Sequence, residues 1–332
     1  MNLRRCAAVV ATASVALLSV VACSTERTPV EPGTPPSSSA FPVSVPGALG
    51  SAEITEQPNR VVALTWTDAD IVFSLGVTPI SVQKAQTDSG YQPWFESAVG
   101  AGDLPPVWDG TDGGVSVEEI AALQPDLIVA TKAFNLDRTY EQLSQVAPVV
   151  HFADTPSSET WQSATTTVAA ALGKSEKGEQ VVGDTESRIA DAAQQNGALD
   201  GKRFTFFVGP TAESVYVVNS SQDAGASFLD QLGMAPTEFA TSQPVSTIPG
   251  RAQISYELLS QTDADVVIAT GRPGTVEELA ARPAAAALPA LVRGAVVELS
   301  PTQAQSIAFP SPLSLGWALD EIVPRLDAAA QK

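Results

Sequence analysis

Short runs of apolar residues, many of them β-branched, alternate along most of the chain with segments whose apolar residues recur at helical spacing. Arg60–Thr65 (RVVALT) and Asp126–Ala130 (DLIVA) have the pattern of buried parallel strands, whereas Asp68–Leu75 has that of a helix. Ser116 followed by Glu119 is typical of a helix start, because this pair can satisfy backbone N–H groups that the first turn leaves free. Such alternation predicts βαβ units built around a parallel sheet.

The same periodicities predict elements up to the end of the chain. The pattern weakens only where proline, glycine and serine cluster. The further predicted elements are strands at Val77–Val82, Val149–Phe152, Lys202–Val208, Ser214–Val218, Val266–Ala269 and Ala295–Leu299, and helices at Tyr140–Val146, Ser227–Leu232, Tyr256–Ser260, Thr275–Ala281 and Leu313–Asp327.

Two helices without a strand between them divide the alternation into halves. Trp161–Leu172 is the first, and Ser175–Gln195 is a longer, polar one with a single apolar stripe. At about 1.5 Å per residue, this second helix would span roughly 30 Å, the width of a small domain. The sequence therefore predicts an N-terminal lobe at 51–172, a linking helix at 173–197 and a C-terminal lobe at 198–332.

An internal repeat supports this division. A shift of 139 positions aligns Ser116-Val117-Glu118 with Ser255-Tyr256-Glu257, and Asp126–Thr131 with Asp265–Thr270. Ligands of open parallel sheets bind beyond the carboxyl ends of the strands, so the residues after Thr131 and Thr270 should face one another. The predicted fold is α/β, with two Rossmann-like lobes joined by one long helix and a ligand cleft between the lobes.

The N-terminus has the pattern of an export signal. Residues 1–22 combine two arginines with an apolar run, and Val20-Val21-Ala22-Cys23 resembles a bacterial lipobox. The prediction is a signal peptide, lipidation at Cys23, a Pro/Ser-rich tether over 23–50 and a body held at the outer face of the bacterial cell membrane. An ordinary signal peptide or a retained anchor remains the alternative.

Composition narrows the function. The 332 residues carry a formal net charge of −19 and a single histidine, His151. Nucleic acid is not expected as a partner because phosphate binding needs a basic surface, and a His-rich metal site is not expected either. No G-x-S-x-G, P-loop, G-x-G-x-x-G, H-E-x-x-H or C-x-x-C motif occurs. We therefore expect no enzyme, no cofactor and no resident metal, although a glycosidase-like carboxylate pair stays open.

Four segments resemble one known family. RVVALTWTDADIVFSLGVTPISV, SVEEIAALQPDLIVAT, QISYELLSQTDADVVIAT and PSPLSLGWALDEIVPRL are similar to the iron-siderophore and cobalamin branch of bacterial ABC-importer substrate-binding proteins, the helical-backbone, class III periplasmic-binding-protein-like type. The resemblance implies a monomer that binds a ferric siderophore, with iron present only as part of that ligand, and delivers it to a membrane permease. Cobalamin or haem as ligand, or a surface lipoprotein that binds a partner without transport, are the alternatives.

The resemblance also implies two sets of functional residues. Glu118 and Glu257 would dock on the permease, the alternative being that both merely favour helix N-termini. Aromatic and basic residues in loops would contact the ligand, the alternative being core packing for the aromatic ones. The ligand-binding candidates are Trp66, Trp94, Trp108, Lys132, Phe134, Tyr216, Arg251, Arg272 and Phe309. Because the chain is acidic, we expect a neutral or weakly charged cargo such as a ferric hydroxamate.

Overall fold

The computed structural model describes residues 41–100, 102–109 and 115–332. The predicted signal peptide, the lipidation site Cys23 and the tether up to residue 40 lie outside the described residues. Ala40–Lys332 form one compact unit. None of the helices in the described ranges combines the length and apolar character that a membrane span requires.

The N-terminal lobe is built on parallel strands with helices between them. In its central sheet the strand order is β3-β6-β7, all parallel, and a bridge from Val62 to Ser81 leads to the parallel pair β4-β5. Its strands are β1 (Val43–Gly47), β2 (Gly50–Ile54), β3 (Val61–Ala63), β4 (Val82–Gln83), β5 (Val107–Trp108), β6 (Leu127–Ala130) and β7 (Val149–His151). Its helices are α1 (Trp66–Ser74), α2 (Pro93–Val99), α3 (Val117–Ala122), α4 (Tyr140–Leu143) and α5 (Trp161–Ala171), with a 3-10 turn at Leu136–Arg138.

Strand β1 lies within residues 23–50, the range that was predicted from the sequence to be a tether. Val43–Gly47 pairs antiparallel with Gly50–Ile54. The side chains of Val45, Ala52 and Ile54 are buried in the core of the N-terminal lobe. The alternation of Val43 and Val45 is short and interrupted by proline, so it reads as linker. The hairpin is stable because three apolar side chains join an existing core.

The linking helix α6 spans Ser175–Gln195, as the sequence predicted. Its buried residues Gly178, Val181, Thr185 and Ile189 recur every three or four positions, so a single stripe packs and the remaining faces meet solvent. Gly178 permits close contact with α5, since a Cβ there would lie 2.5 Å from that of Ala169. The helix therefore packs firmly on the N-terminal lobe while it leads into the second lobe.

The C-terminal lobe has a mixed sheet with the strand order β11-β9-β8-β12-β13. Strands β8, β12 and β13 are parallel, whereas β9 is antiparallel to both of its neighbours, and β10 pairs with the start of β8. The strands are β8 (Arg203–Val208), β9 (Ser214–Val218), β10 (Ala235–Pro236), β11 (Arg251–Ser255), β12 (Val266–Thr270) and β13 (Val296–Leu299). The helices are α7 (Ala224–Gln231), α8 (Glu238–Ser242), α9 (Thr275–Ala280), α10 (Pro283–Ala286), α11 (Pro289–Arg293), α12 (Pro301–Ala308), α13 (Pro312–Glu321) and α14 (Val323–Ala330), with 3-10 turns at Gly197–Leu199 and Tyr256–Gln261.

The last predicted helix, Leu313–Asp327, is two helices in the structure. Helix α13 ends at Glu321 and α14 starts at Val323, because Pro324 has no N–H to continue the ladder and its ring excludes the preceding turn. The break lets α14 pack into the C-terminal lobe while α13 also contacts α1 and α2 of the N-terminal lobe. Helix α13 therefore belongs to the boundary between the lobes.

The repeat has a structural counterpart. Asp126 accepts hydrogen bonds from the N–H groups of Asn59 and Arg60, each 2.8 Å long, and Asp265 accepts one of 2.7 Å from the N–H of Arg203. Each aspartate precedes a central strand and satisfies backbone donors at the start of the neighbouring strand. Both lobes therefore use the same device at the amino end of the sheet.

Replacing Asp126 by alanine is expected to lower the free energy of unfolding by about 1–2 kcal/mol, since two backbone N–H groups lose a charged acceptor. Chemical denaturation followed by circular dichroism measures the change. Asp137→Ala, an exposed aspartate of the same lobe, is the control and should change the free energy by less than about 0.5 kcal/mol. Equal effects of the two substitutions would contradict this role for Asp126.

Candidate functional site

A cavity of about 410 Å³ opens at the carboxyl ends of β3 and β6, where the sequence predicted a cleft. Its walls come from the segments after these two strands and from β4, β5 and Val115, and one wall residue, Phe309, comes from the C-terminal lobe. The lining residues are Leu64, Thr65, Trp66, Thr67, Gln83, Trp108, Val115, Lys132, Ala133, Phe134, Asn135, Leu136, Arg138, Thr139 and Phe309. The cavity therefore lies between the lobes.

A second cavity, of about 150 Å³, lies on the C-terminal side of Phe309. It is lined by residues of β8, β9, β11, β12, α7 and α12, and it shares Phe309 with the larger cavity. The lining residues are Phe206, Val208, Val218, Asp223, Gly225, Arg251, Thr270, Ala304, Gln305, Ile307, Ala308 and Phe309. Phe309 thus separates two compartments of one cleft.

Three aromatic side chains give the cleft its apolar surface. The Trp66 and Phe309 rings meet edge to face with centroids 6.1 Å apart, so the first residue of α1 contacts the last residues of α12. Phe134 follows β6 and is 55% exposed, which is unusual for a phenylalanine. The Nε1–H of Trp66 is buried without a hydrogen-bond partner among the described residues. The cleft therefore offers stacking surface to an extended, partly apolar ligand.

The charged groups of the cleft are mostly cationic. Arg138 is exposed in the 3-10 turn after β6, and the buried Nε of Arg251 lies 3.9 Å from Asp223 Oδ2, which is an ion-pair contact but too long for a hydrogen bond. Lys132 donates to the carbonyl oxygens of Pro156 and Glu159, so its stem, rather than its ammonium, lines the cavity. Burial lowers the pKa of Lys132, and Glu159 opposes that shift. In a chain of net charge −19, this local excess of cations is notable.

The floor of the larger cavity is held by a buried carboxyl group. Asp68 accepts hydrogen bonds from Thr65 Oγ1 at 2.6 Å and from the Oγ1 and N–H of Thr131 at 2.6 and 2.9 Å. Burial raises the pKa of Asp68, which these hydrogen bonds oppose. The group ties the end of β6 to the start of α1, and this fixes the two loops that carry Trp66 and Lys132.

Several predicted ligand contacts lie elsewhere. Trp94 is 3% exposed, and its Nε1–H donates to Asp70 at 2.7 Å. Trp108 lines the cavity but is 2% exposed, with its N–H bonded to the carbonyl oxygen of Ala63. Tyr216 lies within β9, and Arg272 pairs with Glu278, so neither lines a compartment of the cleft. The structure thus brings together Trp66, Trp108, Lys132, Phe134, Arg251 and Phe309.

Arg138 and Gln83 line the cavity but were not predicted from the sequence, whereas Asn135 belongs to the segment after Thr131 that was expected to face the cleft. Asn135 adopts a left-handed backbone conformation with φ of 60°, which turns the chain after β6 into the 3-10 helix that presents Arg138. An asparagine shortly after a predicted strand end was the available signal, because asparagine tolerates this conformation better than most residues.

The two predicted docking glutamates are exposed. Glu118 lies in the first turn of α3, and Glu257 lies in the first turn of the 3-10 helix that precedes β12. The serine before each turn is in extended conformation, and Ser116 Oγ accepts from the N–H of Glu119 at 3.2 Å. The repeat therefore places both carboxylates at corresponding positions of the lobes.

Metal-ligand groups are not clustered in the described part of the chain, where no three His, Cys, Asp or Glu side chains come together. His151 accepts from the N–H of Leu49 at 2.9 Å and packs against Tyr140, and its burial lowers its pKa. A larger concavity of about 520 Å³ lies at the amino ends of β8 and β12, and its lining is largely charged. Aromatic surface and strand ends both favour the cleft as the functional site.

Known proteins resemble this chain in sequence and in fold. A model of the periplasmic binding protein family matches residues 61–302. The chain belongs to the periplasmic binding protein family. The chain is 30% identical over 198 residues to the probable siderophore-binding lipoprotein YfiY of Bacillus subtilis (strain 168), which covers 59% of this chain and 58% of that relative. It is 27% identical over 228 residues to the Fe(3+)-citrate-binding protein YfmC of the same organism, covering 68% and 67% of the two chains.

Solved periplasmic binding protein structures share the whole fold. The Streptococcus pneumoniae TIGR4 protein PiaA in complex with ferrichrome has a TM-score of 0.75 at 26% identity, covering 87% of this chain and 99% of that one. A periplasmic solute binding protein from Mycobacterium smegmatis str. MC2 155 has a TM-score of 0.74 at 29% identity, covering 87% and 98%. These relatives are binding proteins rather than enzymes, and the two-lobed α/β architecture is confirmed.

Proposed function

We propose that this chain is the lipid-anchored, extracytoplasmic receptor of an ABC importer, that it binds a ferric siderophore between its lobes, and that it delivers this ligand to a membrane permease. The observation that carries the proposal is the divided cleft, in which Trp66, Phe134 and Phe309 supply aromatic surface and Arg138 and Arg251 supply donors. A chelated iron ligand needs such contacts and no protein ligand to the metal, because the chelator already occupies the iron.

The anchor and the destination rest on other features. The Val20–Cys23 sequence supports lipidation at Cys23, and relatives are named as lipoproteins. The exposed, repeat-related Glu118 and Glu257 support docking, since carboxylates that meet guanidinium groups form bidentate contacts that fix orientation. Iron enters this account only as cargo, within the siderophore.

The cargo class follows from the charge of the cleft. The larger cavity has Lys132 and Arg138 but no carboxylate among its described lining residues, while Asp223 and Arg251 pair in the smaller one. The Lys132 ammonium is already held by carbonyl oxygens, Arg251 is paired with Asp223, and the chain as a whole is acidic, so we expect a neutral or weakly charged complex such as ferrichrome to bind. Arg138 also offers N–H donors to the carboxylates of a siderophore such as staphyloferrin B. A ferric tricatecholate, with its high negative charge, would still meet the field of the acidic body.

Tryptophan fluorescence tests the proposal directly, because Trp66 lines the cavity. Titration with ferrichrome, ferric staphyloferrin B, a ferric tricatecholate, cobalamin and haem should give saturable quenching with ferrichrome, and calorimetry should give the same affinity. Trp66→Phe is the control that should reduce the quenching while retaining binding. If only cobalamin or haem bound, that compound would replace a siderophore as the proposed ligand. If only the tricatecholate bound, the argument from charge would be wrong. If none of the compounds bound, the proposed receptor function would be contradicted.

A further inference from the structure

The boundary behind the cleft contains a buried carboxyl group that joins the lobes. Asp70, on α1, accepts at its Oδ2 the Oγ–H of Ser311 at 2.6 Å and the Nε1–H of Trp94 at 2.7 Å. Ser311 is the N-cap of α13, so the first bond crosses between lobes. Asp70 is fully buried, and its Oδ1 has no hydrogen-bond partner among the described residues. We call Asp70, Trp94 and Ser311 the clasp.

Among the described residues, no cation contributes to the pKa of Asp70. Burial raises the pKa of Asp70 from 3.8 to about 8, the hydrogen bonds from Ser311 and Trp94 oppose this, and the charge of Asp68 adds to it. The elements that pack on α1 are β3, β4, α5 and α13, and Trp94 belongs to α2. Their charged residues are Asp320 and Glu321, both exposed at the end of α13, and Glu96 on α2, all acidic. A charged Asp70 would therefore be an uncompensated anion in an apolar boundary.

The clasp connects directly to the ligand cavity. Ser311 is two residues from Phe309, whose ring forms the wall between the compartments and contacts Trp66. Ser314 Oγ donates to the carbonyl oxygen of Ser306 at 2.9 Å, and this bond ties α12 to α13 around the connecting segment 309–311. Gln92 and Gln305 add a second cross-lobe contact of 3.2 Å, and Gln305 also lines the smaller compartment. Whatever moves Ser311 therefore moves Phe309.

We propose that Asp70, as a neutral acid, is a positioning residue of the ligand cavity: through Ser311 it holds segment 309–311, and with it Phe309, against α1, and its ionisation releases that segment. Asp70 lines neither compartment, so it acts through Ser311 rather than by touching ligand. The role in ligand binding rests on the proposed function; the release of the segment does not.

The direction of the pH effect follows from proton linkage. In the closed arrangement, in which segment 309–311 is held against α1, the pKa of Asp70 is about 8. Release of the segment would admit water and return this pKa towards 3.8. The contribution of the neutral acid to the closed arrangement is fully present below pH 3.8 and is lost as the pH rises through about 8. The equilibrium between the held and the released segment therefore shifts towards release as the pH rises, by at most about tenfold per pH unit, which is the limit for one proton. The shift levels off above the pKa of Asp70.

Hydrogen exchange of the ligand-free protein tests the release. Phe309, Ser311 and Leu315 donate backbone hydrogen bonds within the segment and its flanks. Exchange at these amides, relative to Asp70→Asn at the same pH, should rise by up to about 100-fold between pH 6 and 8 and then level off. Asparagine should show no such rise because it stays neutral and keeps the acceptor at the clasp. Peptides from α14 serve as the internal reference. Glu96→Gln is the control variant, and its exchange should follow that of the parent protein. Parallel pH profiles for the parent and Asp70→Asn would overturn the proposal.

A second pair of variants separates positioning from general stability. Trp94→Phe keeps the packing but removes the Nε1 donor that stabilises the charged form, so the midpoint of the exchange transition should move to higher pH. Ser311→Thr retains a hydroxyl donor and should keep the parent midpoint. An unchanged midpoint in Trp94→Phe would overturn the proposal. This test does not depend on Asp70→Asn, so it remains decisive if that variant fails to fold.

Binding of ferrichrome gives the functional readout. The affinity of the parent should fall as the pH rises towards 8.5, while that of Asp70→Asn should vary less than threefold. If the exchange transition occurs and ferrichrome does not bind, the proposed cargo is wrong and the clasp stands. If ferrichrome binds with the same pH profile in both proteins, the receptor stands and the clasp does not position its cavity.

Discussion

Truncation of Phe309 to alanine is expected to weaken the binding of ferrichrome by about 10- to 100-fold, as for other central aromatic contacts. The ring belongs to both compartments and meets Trp66 edge to face, so its loss merges the compartments and removes stacking surface from both. Because Phe309 is 36% exposed without ligand, the substitution should change the stability of the folded chain far less than it changes affinity.

Calorimetry measures the affinity, and thermal unfolding measures the stability of the same variants. Phe309→Tyr retains the ring and should stay within a few-fold of the parent. Val292→Ala is the control for an exposed apolar residue outside the cleft, since Val292 is 74% exposed. An affinity of Phe309→Ala equal to that of the parent would show that the ligand does not use this wall.

The architecture could be predicted because local patterns carry it. The linking helix α6 needs only one apolar stripe over its length, and β6 and β12 are both aliphatic runs that directly follow an aspartate. Most of the helices that were not predicted are short and begin with proline, as α2, α10, α11 and α12 do. Such segments are too short to show a period, and proline there indicates a turn as readily as a first helical residue.

The site was less predictable because burial depends on distant partners. The sequence around Trp94 mixes polar and apolar residues, and its burial depends on Asp70 of another helix, which accepts its N–H. Trp108 has prolines and glycine as neighbours, yet the carbonyl oxygen of Ala63, 45 positions away, accepts its N–H. Asp70 itself looks like an ordinary helix-surface aspartate until α13 covers it. Residues next to strand ends, such as Trp66, Lys132 and Phe134, were found because topology alone places them.

Reversal of the charges of Glu118 and Glu257 to arginine is expected to reduce ferrichrome-dependent iron uptake by at least about tenfold, to the level of cells that lack the protein, with ferrichrome affinity unchanged. Both side chains are exposed and neither lines the cleft, so binding should not respond. A receptor that docks through two acidic side chains loses both contacts and gains repulsion from basic pockets on the permease. Uptake of radiolabelled iron, measured beside the affinity of the purified variant, separates the two steps.

The control must change the net charge by the same amount, and it must also remove a glutamate from the first turn of one helix in each lobe. Glu141 and Glu277 are exposed in the first turns of α4 and α9, one in each lobe, so Glu141→Arg with Glu277→Arg meets both requirements. This control should retain uptake, because the net charge alone does not set the docking geometry. If the Glu118 and Glu257 double variant also retains uptake, the permease either uses another surface or is not the partner, which favours a surface lipoprotein that binds without transport.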